Sequence, residues 1–183
     1  MKFISTPIEG LLLLEPKIFI DERGYFFESF NEREMTQHGI KGPFIQDNQS
    51  VNHKNVLRGL HFQKNPHQQG KLVRVVSGSV FDVVVDIRKG SKTFGKHFSV
   101  ELNSKEKIML WIPAGFAHGF VSLEDNTTFL YKVTEYYSPL SESGIIFNDF
   151  ELNIDWTVKN PIVSSKDKIL PSFKEFRQSI NII

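Results

Sequence analysis

Chemistry in this chain is concentrated in Val56-Leu57-Arg58-Gly59-Leu60-His61-Phe62-Gln63 and in Gly70-Lys71-Leu72-Val73, which follows closely. Both are apolar, strand-like runs that carry basic side chains, Arg58 and His61 in the first and Lys71 in the second. Arginine and lysine are rarely buried without a partner. Cations on strands that otherwise read as core therefore predict a lined pocket with an anionic or carbonyl ligand. Imidazole titrates near neutrality, so His61 is suited to moving protons there. Strict alternation sends Arg58 and His61 to opposite faces of a strand. Gly59 between them permits a bulge that turns both inward.

A second cluster is Pro113-Ala114-Gly115-Phe116-Ala117-His118-Gly119-Phe120. Proline and glycine make a tight entry into a strand and leave His118 able to face a pocket. Tyr131, in Phe129-Leu130-Tyr131-Lys132-Val133-Thr134, is an ordinary sheet tyrosine or, if buried beside a cation, a phenol that can donate a proton. Tyr136 and Tyr137 read as sheet tyrosines too. Over residues 80–87, Phe81, Val83, Val85 and Ile87 face one way and Asp82, Val84 and Asp86 the other. The two aspartates are expected to face solvent or to pair with Arg74 and Arg88; the alternative is that they orient Lys71. Ser164-Ser165-Lys166-Asp167-Lys168 reads as a solvated turn.

Short apolar runs must position these groups. They fall at 18–20, 25–30, 44–46, 56–63, 71–76, 80–87, 97–102, 108–112, 117–123 and 129–133, punctuated by Gly and Pro. That spacing predicts an antiparallel all-β sandwich or barrel. Ser77-Gly78 reads as a tight hairpin turn between two of the runs. Helix is scarce. Asn31 is expected to cap a short helix reaching about His38, with Glu34 at the capping-box position, and Ser172 another with Glu175 three residues on. Seventeen phenylalanines among 183 residues suit strands packed on strands.

Length, with no repeat or linker, predicts a single domain over residues 1–183. Lys and Arg total 22 against 21 Asp and Glu, a net charge of +1, and no basic stripe marks a nucleic-acid or membrane partner. Cysteine is absent, which excludes disulfides and thiolate metal sites. Met1 to Gly10 lacks the pattern of a signal peptide, and the apolar stretch at 11–14 stops at Glu15 and Pro16. The longer stretch at 108–123 is broken by Pro113, Gly115 and Gly119. A soluble, cytoplasmic protein is expected.

The spacing P-x-G-x-x-H from Pro113 to His118 is similar to the second half of the cupin signature. Its first half ordinarily supplies H-x-H and then a carboxylate, whereas Leu60-His61-Phe62-Gln63 supplies one histidine. Two histidines are too few for a stable divalent site, so a pocket without metal is expected.

From end to end the chain resembles the dTDP-4-dehydrorhamnose 3,5-epimerase family. The resemblance rests on Asp21-Glu22-Arg23-Gly24-Tyr25-Phe26-Phe27-Glu28, Gln46-Asp47-Asn48-Gln49-Ser50, the runs at 56–63 and 70–73, and Thr93-Phe94-Gly95-Lys96. Trp111-Ile112 leading into the Pro113 cluster, Tyr131-Lys132 and Ser165-Lys166-Asp167 complete it. It implies a cupin-type jelly roll with a few short peripheral helices, working as a homodimer without metal or organic cofactor. The substrate it implies is a thymidine-diphosphate 4-keto-6-deoxyglucose, inverted at carbons 3 and 5 on the way to dTDP-L-rhamnose. Position by position, it implies His61 as general base, Asp167 as its orienting carboxylate, Tyr131 as proton donor on the opposite side of the sugar, and Lys71 steadying the enolate oxygen. Arg23, Glu28, Gln46, Asp47, Asn48, Arg58, Lys71, His118, Glu142 and Lys166 match nucleotide- or sugar-contacting positions, with Arg23 and Glu28 on an N-terminal segment that serves the partner's site. Phe147, Phe150 and Thr157 depart from the family pattern, in a connecting region where the expected effect is on packing. The alternatives are an epimerase acting at carbon 3 alone, a metal-dependent cupin enzyme, and a non-catalytic sugar-nucleotide binder.

Overall fold

Fourteen short strands and two short helices make up nearly all the regular structure of the computed structural model, which describes residues 1–180. The last positions of the expected domain, 181–183, lie outside the described residues. In chain order the elements are β1 (Lys2–Ser5), β2 (Leu12–Glu15), β3 (Ile18–Asp21), β4 (Gly24–Phe27), α1 (Glu32–Gln37), β5 (Gln46–Asn52), β6 (Val56–Gln63), β7 (Lys71–Ser77) and β8 (Ser79–Asp86). There follow β9 (His97–Asn103), β10 (Met109–Ile112), β11 (Phe116–Ser122), β12 (Thr127–Val133), β13 (Glu142–Gly144), β14 (Ile162–Val163) and α2 (Phe173–Ser179).

One sheet runs β1-β2-β10-β7-β12-β5; the other runs β13-β6-β11-β8-β9, with β14 added beside β6. Strands 3 and 4 form a separate two-stranded ribbon. The two large sheets face each other as a cupin-like jelly roll, and period-two alternation explains why. Val73 and Val75 of β7, Leu110 and Ile112 of β10 and Phe129 of β12 meet Val80 and Val84 of β8 and Phe116 and Phe120 of β11 in the core between them. Outer faces are covered as well. Leu72, Met109 and Trp111 pack under Met35 of α1, and Leu57, Leu60, Val83 and Val85 pack under Phe173 and Phe176 of α2.

Both helix caps fall where expected. The Asn31 side chain accepts from the backbone N–H of Arg33 and Glu34, while the Glu34 carboxylate turns toward the Met1 amino group at 3.4 Å. Ser172 and Glu175 form the full reciprocal capping box. Of the departures from the family pattern, Phe147 packs against the α2 side of the core and its carbonyl accepts from Trp156 Nε1 at 2.7 Å. Phe150 is exposed, so packing does not account for it.

Three expectations need correction. Ser77-Gly78 is not a hairpin turn: β7 and β8 belong to different sheets, and the dipeptide is the corner where the chain crosses between them. Each strand has better partners elsewhere, β7 between β10 and β12 and β8 between β11 and β9. A side chain at Gly78 (φ +78°) would also meet Thr127 Oγ1 at 2.4 Å. Second, β5 starts at Gln46 and runs through polar sequence, where the apolar run at 44–46 had suggested only a short strand ending there. Third, Asp82 and Asp86 do not face solvent; both are fully buried.

Asp86 pairs with Arg88 as one alternative foresaw, and does more. It accepts from Arg88 Nε (2.9 Å), Arg88 NH2 (2.7 Å), Ser91 Oγ (2.6 Å) and Thr93 Oγ1 (2.6 Å), tying the turn after β8 together. Burial alone would raise its pKa, but these hydrogen bonds outweigh it and lower the value to about 2. A carboxylate held below its unfolded value adds stability above that value and loses it as pH falls through the folded one. Urea unfolding is therefore expected to show about 2 kcal/mol of stability draining away between about pH 4 and pH 2. Asp86→Asn should be destabilised at pH 7 and lose less across that window; a wild-type slope in the variant would assign the effect to another carboxylate.

Candidate active site

Two cavities adjoin between the sheets, of about 290 and 220 Å³, and both are lined by Asn48, His61, Lys71 and Tyr131. Arg58 and His118 line the first of them; Gln46, Tyr137 and Glu142 line the second. His61 comes from β6 and His118 from β11 of one sheet, while Lys71 comes from β7 and Tyr131 from β12 of the facing one. Side chains of opposite sheets thus look into one space.

A bulge makes this possible. Along β6, His61 pairs with His118 and Arg58 with Phe120, so three steps on β6 match two on β11. The extra residue resets the alternation, and Arg58 and His61 both reach the cavity. Gly59 is required there: its φ is +136°, and a Cβ would sit 2.5 Å from Gly119 Cα. Arg58 is then fixed by Asn52, whose Oδ1 accepts from Arg58 Nε at 2.8 Å while its own amide donates to the Thr127 carbonyl at 3.1 Å. Among the described residues neither terminal nitrogen of the guanidinium has a hydrogen-bond partner, which leaves both for a ligand.

Asp167 lies on a short 3-10 turn (Asp167–Ile169), buried rather than in the solvated turn expected. Its Oδ1 is 2.8 Å from His61 Nε2, and its Oδ2 accepts from Gly59 N–H at 3.3 Å. Burial would raise its pKa, but the hydrogen bond and charge of His61, with Gly59 and Ser164, prevail and hold it below the ordinary carboxylate range. An ionised acceptor fixes the tautomer. Nε2 carries the proton toward Asp167, and the Nδ1 lone pair is free to act as base.

Lys71 donates to the His61 carbonyl at 3.5 Å. Burial pushes its pKa down to about 8, against the opposing pull of Asp82 and then Glu142. Burial likewise raises the Tyr131 phenol, with Arg58 lowering and Glu142 raising it, so the phenol keeps its proton at neutral pH. Glu142 Oε2 accepts from Tyr137 Oη at 2.7 Å and pairs with Lys166 at the rim. Gln46 Nε2 donates to Asn48 Oδ1 at 2.9 Å.

Of the residues singled out from sequence, His61, Tyr131, Asp167, Lys71, Gln46, Asn48, Arg58, His118, Glu142 and Lys166 come together at this site. Three do not. Asp47 points to the outer face of β5, where it is exposed and pairs with Lys132 at 2.9 Å. Alternation explains this, since Gln46 and Asn48 take the inner positions. Arg23 pairs with Asp21 within the β3–β4 ribbon, and Glu28 accepts from Asn31, away from both cavities of their own chain. Sequence reading offered Asp82 only as an orienting group for Lys71 and missed its pairing with His118, whose Nε2 lies 3.0 and 2.9 Å from its oxygens, as well as Asn52 behind Arg58. The alternation of β8 had put Asp82 on the right face, but which face was inside was not legible. Among the described residues no group of three or more His, Asp or Glu side chains is arranged to hold a metal ion. No helix among them is long and apolar enough to cross a membrane.

A base and a protonated phenol on opposite walls, with a lysine lining the same space, can take a proton from one side of a ketosugar and return one from the other. Comparison with known proteins points the same way. Residues 5–175 match the family model described as dTDP-4-dehydrorhamnose 3,5-epimerase. The Shigella flexneri protein of that name is 53% identical over 168 residues, 91% of this chain and 93% of the relative. Among solved structures, the Legionella pneumophila epimerase in complex with dTDP-4-keto-L-rhamnose superposes with a TM-score of 0.91 at 47% identity, covering 94% of this chain and 93% of that one. A 3'-monoepimerase from Streptomyces bikiniensis in complex with dTDP-quinovose gives 0.86 at 30% identity, covering 98% of each.

Proposed function

The chain belongs to the dTDP-4-dehydrorhamnose 3,5-epimerase family, and we propose that His61, Lys71 and Tyr131 carry the double inversion in its cavity. It is an isomerase of dTDP-rhamnose biosynthesis, converting dTDP-4-dehydro-6-deoxy-D-glucose to dTDP-4-dehydro-L-rhamnose. The observation that carries the residue assignment is that His61 and Tyr131 arise from facing sheets yet line the same two cavities.

Carbons 3 and 5 both flank the 4-ketone, so loss of either proton places negative charge on one oxygen. His61 Nδ1 takes the proton, and the imidazolium is steadied by Asp167. Lys71 meets the oxygen with its ammonium; a donor placed where charge develops is worth about 10²–10³-fold in rate. Tyr131 then protonates carbon from the other side, and before the second carbon reacts the imidazolium gives its proton to solvent and the phenolate takes one back. Arg58, its two terminal nitrogens free, suits the diphosphate because a guanidinium fork binds two oxygens at once. The enolate charge is met by Lys71, so our reading uses neither metal nor organic cofactor.

We also read the enzyme as a cytoplasmic homodimer. The β3–β4 ribbon stands outside both sheets, exposes Phe19, Ile20, Tyr25 and Phe26, and carries the well-exposed Arg23 at its turn. Such a patch supports contact with a second copy, whose nucleotide Arg23 and Glu28 would reach.

In deuterated water, incubation with dTDP-4-keto-6-deoxyglucose is expected to place deuterium at both carbons of the product, read by NMR. Label at carbon 3 alone would move the assignment to a mono-epimerase.

A further inference from the structure

Asp82 has no part in the roles above, yet it is a fully buried carboxylate set behind His118, which lines the site. It reaches His118 diagonally across neighbouring strands, since Asp82 pairs with Phe120 and Val84 with His118. Both oxygens lie within 3.0 Å of His118 Nε2. His118 is itself buried and stacks toward Phe129, so the ring has little freedom to turn. With Nε2 engaged, Nδ1 is the remaining polar atom, and among the described residues it has no protein partner. A buried ion without compensation costs several kcal/mol, so a carboxylate here implies cationic or donor groups that it serves.

We infer that Asp82 is a positioning residue for the epimerisation: it accepts from His118 Nε2–H and, as the buried counter-charge of a ring protonated on both nitrogens, holds Nδ1–H toward the sugar carbonyl oxygen. This rests on the proposed function. Lys71 shares its cavities with Arg58 and His61 of β6, His118 of β11, Tyr131 of β12, Glu142 of β13 and Tyr137. Asp82, outside that lining, and after it Glu142 are the carboxylates whose charge opposes the effect of burial on Lys71.

Asp82→Asn keeps the shape while removing the charge, and its amide no longer holds a proton on Nε2 as a carboxylate does. Expected are a kcat lower by about 10–100-fold, KM and thymidine diphosphate affinity within about twofold, and an alkaline limb of kcat displaced to lower pH. The sign follows from Lys71, which sheds its proton earlier without the carboxylate. A folded variant with wild-type kcat and an unmoved limb would overturn the inference and leave Asp82 a packing residue. Should Asp82→Asn not fold, ¹⁵N NMR of His118 in the wild type decides: protons on both ring nitrogens support the inference, and a bare Nδ1 or Nε2 overturns it. A wild type that fails to turn over the substrate sinks the proposed function instead, with the ring measurement still standing as the test of the His118–Asp82 geometry.

Discussion

Alanine at His61 is expected to abolish deuterium incorporation at both carbons and to lower kcat/KM by about 10⁴-fold, with thymidine diphosphate still bound. One base serves both sites because both protons are acidified by the same ketone. Asp167→Asn sharpens the claim. A carboxylate can only accept, so it holds the proton on His61 Nε2, 2.8 Å away, and keeps Nδ1 bare toward the cavity. An amide can turn its NH2 toward that nitrogen, which favours the opposite tautomer and caps the base. A loss on the order of 10³–10⁴-fold in kcat is expected, by the logic of orienting carboxylates in other base-assisted enzymes. Retained exchange at either carbon in His61→Ala would remove His61 from its role. Equal rates for Asp167→Asn and wild type would leave Asp167 a structural tie to the Gly59 bulge.

How much of this was legible in the sequence depends on what each residue's environment shares with the chain around it. Strands with apolar inner faces announced themselves, β8 by alternation and β11 as a short apolar run. β5 did not, because Gln46, Asn48 and Ser50 face inward where the interior is a polar pocket rather than core. Pairing partners were equally hidden: nothing in Ser77-Gly78 distinguishes a hairpin from a corner between sheets, since both need a positive-φ residue. The Gly59 bulge was readable as a possibility from the conflict between Arg58 and His61, and the register of β6 on β11 resolves it.

Long-range pairs were the hardest. His61 and Asp167 are separated by 106 positions, and His118 and Asp82 by 36. The first pair came only through family resemblance, and the second was not seen. Burial is what gives both their weight, because a buried carboxylate beside the site acts on imidazole with little screening from water. Surface pairs such as Asp47–Lys132 are equally short yet stand in solvent, where an ion pair contributes at most about 1 kcal/mol. Motif matching alone cannot separate these cases; Asp47 lies in the same run as Gln46 and Asn48 and faces the other way.

Tyr131→Phe is expected to uncouple exchange from inversion. His61 would still take a proton and, in deuterated water, return a deuteron to the face it came from. Label should therefore build up in substrate of unchanged configuration while product formation falls by about 10²–10⁴-fold. The phenol suits this task because burial keeps it protonated at neutral pH, and its loss removes a donor without disturbing the base on the facing sheet. Two results would count against it. Exchange and product lost together would mean that Tyr131 acts before protonation, in binding or enolate formation. Product formed at the wild-type rate would place the second proton on another group, with Lys71, which lines both cavities, the nearest in chemistry.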